Sequence, residues 1–165
     1  MWMHPNEIKL INSFLTIDDI MLEWGSGGST AFFAQQVKTY YSIEHVKEWY
    51  DQVNKQLEQY PLLDVRYNFV PNDLPRTKPT QYNEYKSYIE YPKKFNTKFD
   101  RVLIDGRGRQ YCAEFILPYL HEESIVFIHD FYNRPDRYDV VLQWYDIVDG
   151  IDNTEQTIVA LKAKK

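Results

Sequence analysis

The chain has 165 residues, 44% apolar and 26% charged, which fits one hydrophobic core and excludes a disordered or fibrous protein. Nineteen Lys and Arg against 24 Asp and Glu give a net charge of −5, the wrong sign for a domain that holds a phosphate backbone by charge, so nucleic acid is not the expected partner. A single cysteine, Cys112, excludes an internal disulfide and a cysteine-rich metal site, and with no basic leader and no 18-residue apolar run a cytoplasmic protein without membrane contact is expected.

Along the chain, apolar runs alternate with stretches of helical spacing, the pattern of βαβ units. A helix over 7–15 precedes a strand at 20–24, which runs into Gly25, Gly27 and Gly28 and a helix over 30–37. After a strand at 40–44, a helix over 46–59 sets Val46, Trp49, Tyr50, Val53 and Leu57 on one stripe, with Lys47, Glu48, Asp51 and Lys55 toward water. A strand at 65–70 leads into the longest irregular stretch, 71–97, which holds four prolines and a short helix with Tyr82, Tyr85, Tyr88 and Tyr91. A loop of that length inside a compact domain is usually functional, while the tyrosine stripe fits packing better than a ligand platform. Strands at 101–105 and 124–129 flank a helix over 110–120, in which Cys112 reads as a buried small residue, and Pro135 opens a helix over 136–144. The last strands, 145–149 and 156–162, are separated by Gly150, Asp152 and Asn153 and pair as an antiparallel hairpin. The result is one α/β domain over 1–165, a mostly parallel sheet ending in one reversed strand.

The most informative stretch is IMLEWGSGGST, where an apolar strand meets glycines and then a helix. Glycines let backbone amides approach a ligand closely, and a helix start favours a carboxylate or phosphate. The next strand, YYSIE, ends in Glu44, nineteen residues after Gly25, about where doubly wound folds carry the acid that binds ribose hydroxyls. A dinucleotide pattern would need glycine in place of Thr30 and an apolar residue in place of Glu23.

With these residues the chain resembles the class I S-adenosylmethionine-dependent methyltransferases, whose first motif, an acid, any residue, then G-x-G-x-G, is met by Glu23, Gly25 and Gly27 and departs at Ser29. The resemblance implies a Rossmann-like three-layer sandwich with seven strands, the last antiparallel, over nearly the whole chain, and S-adenosylmethionine as cofactor. It also implies that the turn carrying Gly25, Ser26, Gly27, Ser29 and Thr30 passes under the methionine part, with Glu23 at its amino end. Glu44, with His45 beside it, would take the ribose, and Asn72 and Asp73 the adenine.

A second cluster forms where the fourth and fifth strands end, in Asp105 and in His129 and Asp130, beside the glycine turn. Two carboxylates and an imidazole suit a hard divalent cation such as Mg or Mn, and equally suit helix caps and loop amides. Some methyltransferases of this class use such a metal to acidify an acceptor hydroxyl, and Asp105 and Asp130 resemble those ligands, with His129 as third ligand, general base or structural donor. Arg107 and Arg109 follow at once and are able to pair Asp105, Asp130 or an acidic group on the substrate. Asn133, Arg134, Arg137 and Tyr138 are expected on the opposite rim. The expected reaction is methyl transfer to an oxygen of a glycan or small-molecule hydroxyl, with Asp105, His129, Asp130 and Arg107 as catalytic residues. The alternatives are an NAD-dependent oxidoreductase, which lacks a Tyr-x-x-x-Lys pair after the fourth strand, and a non-catalytic binding or scaffold protein.

Overall fold

The apolar runs become β1 (Ile20–Trp24), β2 (Thr39–Glu44), β3 (Val65–Phe69), β4 (Phe99–Ile104), β5 (Leu120–His129), β6 (Tyr145–Asp152) and β7 (Thr157–Ala163). They form one sheet in the order β3-β2-β1-β4-β5-β7-β6 in this computed structural model, which describes residues 3–153 and 155–165. The first five strands pair in parallel, and β7 lies antiparallel between β5 and β6, so six strands point one way and one the other. The expected hairpin and reversed last strand are both present.

Side chains alternate across the strands and feed two cores. On one face Leu22, Trp24, Val102, Ile104, Val126 and Ile128 pack beneath α4 (Lys86–Ile89), α5 (Arg109–Phe115) and α6 (Pro135–Tyr138). On the other, Met21, Tyr40, Leu103 and Phe127 meet α1 (Pro5–Asn12) and α2 (Gly28–Ala34). Helix α3 (Lys47–Leu57) lies over β2 and β3. Central strands β1 and β2 are almost wholly buried, as a parallel sheet covered on both faces requires.

The helix expected over 110–120 ends as α5 at Phe115, and a 3-10 turn, Leu117–Tyr119, carries Pro118, whose missing N–H cannot continue the ladder. The helix expected over 136–144 has one α-turn, α6, followed by a 3-10 stretch, Asp139–Gln143. Of the stripe expected on α3 only Val53 is buried, because that helix covers the edge strand β3, itself only half-buried. Trp49 is left 38% exposed and lines a cavity. The tyrosines of 82–91 pack inward, Tyr85 and Tyr88 being buried, and Tyr88 accepts a hydrogen bond from Trp24 Nε1 on its carbonyl at 3.0 Å.

Candidate functional site

A cavity of about 790 Å³ opens where β1, β2 and β4 end, the crevice in which open α/β sheets bind ligands. Its floor is a contact between two backbone turns. Gly25 has φ +89°, and a Cβ there would stand 2.6 Å from Gly106 N and 2.8 Å from the Asp105 carbonyl carbon, so only glycine fits. The turns are tied to the sheet by Gly25 N–H donating to Ile43 O and Asp105 N–H donating to Trp24 O, both at 2.9 Å. Gly27 is different: its backbone is extended, and a Cβ would meet nothing within 4 Å, so it leaves open space beside the cavity it lines.

Glu44 closes one side of the cavity with its carboxylate fully engaged. Oε1 accepts from His45 N and Val46 N at 2.7 Å each, and Oε2 from Ser26 N at 2.9 Å and Ser26 Oγ at 3.1 Å. Burial raises its pKa, but the His45 side chain and the Val46 and His45 amides outweigh that and hold the carboxyl below its ordinary range. Ser26 Oγ also lies 2.5 Å from Tyr67 Oη, so it alone among these donors has a second partner ready.

Glu23 departs from its expected role. It is fully buried in β1, and it accepts hydrogen bonds from Ser29, Thr30 and Ser42 hydroxyls at 2.7 Å each. Burial raises its pKa to about 7 against the lowering effect of those hydroxyls. Glu23 and Thr30 do not line the cavity; they brace the turn from beneath.

The second cluster assembles as expected and gains a residue from far away. Donor atoms of Asp105, His129 and Asp130 lie within 4.8 Å of one another. His129 Nδ1 is 2.9 Å from Asp105 Oδ1, and Nε2 is 3.3 Å from Oε2 of Glu7, a buried residue of α1 whose Oε1 accepts from Thr157 N. Burial works to lower the His129 pKa, but the Asp105 hydrogen bond and the charges of Asp105, Asp130 and Glu7 raise it to about 9. Both nitrogens face carboxylates, which favours the imidazolium form at neutral pH.

Arg109 fills the remaining place. Its guanidinium sits 3.3 Å from Asp105 Oδ1 and 3.3 Å from Asp130 Oδ2, and it donates to the carbonyls of Gly106 and His129. Of the two partners open to these arginines, Arg109 takes the internal one and Arg107 lines the cavity. Asp105 also lines the cavity, and only its Oδ1 carries a described bond or ion pair.

Gly25, Ser26, Gly27, Ser29, Glu44, His45, Asp105 and Arg107 therefore meet at one cavity, together with Asn133, Arg134, Arg137 and Tyr138. His129 and Asp130 stand behind it. Asn72 and Asp73 are not brought there: Asn72 Nδ2 donates to Leu74 O at 2.7 Å, and Asp73 accepts from Ser87 N–H and Oγ–H, so both serve the loop. Sequence reasoning missed Glu7, Trp49, Arg76 and Lys78. A capping box opening α1 was the only signal for Glu7, and Arg76 and Lys78 sit in the irregular stretch without a motif.

No family model and no curated protein matches the sequence. Solved structures do match in fold. One is a methyltransferase-like protein from Silicibacter pomeroyi, 21% identical, with a TM-score of 0.75 over 99% of this chain and 89% of that one. Another is a methyltransferase candidate from Streptococcus mutans in complex with S-adenosylhomocysteine, 14% identical, TM-score 0.70, covering 99% of this chain and 100% of that one. A third is an rRNA methylase from Streptococcus thermophilus, 12% identical, TM-score 0.68, covering 100% of this chain and 99% of that one. The fold is that of the class I S-adenosylmethionine-dependent methyltransferases, the Rossmann-like sandwich with one reversed strand. Among the described residues no helix is long and apolar enough to cross a membrane.

Proposed function

We propose that this chain transfers a methyl group from S-adenosylmethionine to an oxygen of a small-molecule or glycan hydroxyl. The observation that carries the reading is the glycine floor: Gly25 pressed on Gly106, with Gly27 open to a 790 Å³ cavity beside Glu44, in a fold matched over its length by a structure with S-adenosylhomocysteine bound. The residues fit that cofactor, since Gly25 to Ser29 would hold its methionine part and Glu44 its ribose once Ser26 Oγ yields Oε2 to a ligand hydroxyl. When bound, the cofactor supplies an electrophilic methyl on a sulfonium.

The chain's own residues then align and deprotonate. Asp105, facing the cavity with Oδ2 uncommitted, receives the acceptor proton, and Arg109 and His129 fix its carboxylate through Oδ1. The Arg109 guanidinium and the His129 imidazole already give Asp105 Oδ1 and Asp130 Oδ2 cationic partners, so the proposed step uses no metal. The same enclosure sets His129 aside as a base. The acidic chain favours a small acceptor over RNA, although the fold also serves an rRNA methylase.

Calorimetric titration with S-adenosylhomocysteine, with NAD beside it, tests the reading. The expected result is binding of the first alone, weakened about tenfold or more in Glu44→Ala. Failure of the wild-type protein to bind S-adenosylhomocysteine overturns the proposal.

A further inference from the structure

Resting on that reading, we infer that the acceptor is a phosphate-bearing small molecule, whose anionic group is held at the cavity mouth by Arg107, Arg134 and Arg137 together with Arg76 and Lys78. All five residues line the cavity described above, in a chain whose net charge is −5. They come from three separate segments: the irregular stretch after β3, the turn after β4, and the segment after β5 that runs into α6. None has an ion pair within 4 Å among the described residues, whereas buried Arg109 next to them has two.

The acids of the same lining do not neutralise them. Glu44 is committed to Ser26 and to the His45 and Val46 amides, and Asp105 to Arg109 and His129. That leaves Asp136 on the rim. Arg107 feels the surplus: its pKa is lowered, first by burial and then by the positive charges of Arg76, Arg109 and Arg134. Like charges gathered without partners destabilise a fold, and an anion placed among them relieves the repulsion.

The methyl donor is not that anion. Its ammonium and sulfonium outnumber its one carboxylate, so it enters as a net cation and leaves the cluster unmatched. Planar guanidinium groups bind phosphate oxygens in pairs, which suits a dianionic phosphate ester better than a neutral sugar. A long polyanion would also have to lie along the acidic remainder of the surface, whereas a compact phosphate ester meets only the basic mouth.

The test is calorimetry on protein saturated with S-adenosylhomocysteine, at physiological salt, using glucose 6-phosphate, pyrophosphate, glucose and a single-stranded RNA oligonucleotide. The phosphates are expected to bind and glucose not, and Arg107→Gln and Arg134→Gln are each expected to weaken phosphate binding about tenfold with S-adenosylhomocysteine affinity unchanged. Lys164→Gln, outside the cavity lining, keeps wild-type values, and melting curves confirm that each variant folds. If S-adenosylhomocysteine binds but neither phosphate does, or both variants bind phosphate like wild type, the inference falls and the methyl-donor reading stands. If the phosphates bind and both variants lose them while S-adenosylhomocysteine never binds, the anion site stands and the methyl-donor reading falls. RNA binding tighter than either phosphate, lost in the same variants, overturns the small-molecule class in favour of a polyanion.

Discussion

Two glycines two residues apart should respond to the same substitution in opposite ways. In Gly25→Ala the new methyl lies 2.6 Å from Gly106 N, 2.7 Å from Gly106 Cα and 2.8 Å from Asp105 C, all backbone atoms of a turn pinned to the sheet. Forcing a side chain in by moving backbone costs about 1–3 kcal/mol, and holding alanine at a φ of +89° adds about 1–3 kcal/mol more. The sum, about 2–6 kcal/mol, is a large part of the 5–15 kcal/mol that roughly spans domain stabilities. Gly27→Ala meets nothing within 4 Å on extended backbone, so its stability should stay within about 0.5 kcal/mol of wild type. Its methyl instead occupies cavity space where the donor would pass, and S-adenosylhomocysteine should bind about tenfold more weakly, about 1.4 kcal/mol. Urea unfolding and calorimetry on both variants separate the effects. A loss under about 1 kcal/mol in Gly25→Ala, or wild-type affinity in Gly27→Ala, would refute the account of the floor.

The buried ionisable groups give two pH windows. Glu23, raised to about 7 by burial, binds a proton more tightly in the folded state, so stability is full below about pH 4.5 and falls by up to about 3 kcal/mol as pH rises through 7; in Glu23→Gln unfolding midpoints should lose that slope. His129 is raised to about 9 because its carboxylate partners outweigh burial, so its contribution, up to about 3 kcal/mol, is full below pH 6.5 and lost through pH 9; a flat profile there in wild type would contradict the buried imidazolium. Ser26→Ala frees Glu44 Oε2 for a ligand hydroxyl and should bind S-adenosylhomocysteine as tightly as wild type or a few-fold tighter; a tenfold loss by calorimetry would show the serine itself holding the ligand. Arg109→Gln leaves Asp105 and Asp130 with His129 as their one cationic partner and should lose about 1–3 kcal/mol in urea unfolding, and magnesium should raise its melting temperature more than that of wild type.

The sheet was legible because its signal is local. The run IMLEW is buried nearly throughout, continuous apolar runs mark β5 and β7, and the turn formers at 150–153 announce the reversed strand, although Gly150 and Asp152 themselves pair within β6. The glycine side of the cavity was legible for the same reason, since Gly25, Ser26, Gly27 and Glu44 belong to one strand–turn–helix–strand unit. Less legible were individual side-chain partners. The Glu7 carboxylate reaches His129 across most of the chain, and Arg76 and Lys78 arrive at the cavity on a stretch whose anchors, Tyr85 and Tyr88, look in sequence like any aromatic stripe. Asn72 and Asp73 had the right composition and position for a ligand, but the loop's own backbone used them first. Glu44 does reach the cavity, yet that its oxygens would meet four protein donors depends on how two turns fold toward it, which spacing does not encode.

The charges of the site form two zones with separate tasks. Asp105 and Arg109 at the cavity lining, with Asp130, Glu7 and His129 behind them, form a largely half-buried set in which three carboxylates are matched by two cations. Such a set fixes geometry, because removing one member leaves an uncompensated charge inside the protein. At the mouth, Arg76, Lys78, Arg107, Arg134 and Arg137 are exposed or half-buried and unmatched, so their field reaches the solvent and draws anions toward the cavity. The two zones meet at the turn of Asp105 and Arg107, two residues apart, of which the proposed reaction would use the first for the acceptor's proton and the second for its charge. An acceptor anchored at the mouth by a phosphate would therefore present a hydroxyl to Asp105, while the donor lies against the glycine floor. Orientation of the two reactants is the largest effect a site of this kind has to supply, since methyl transfer needs alignment and a desolvated oxygen more than it needs strong acid or base.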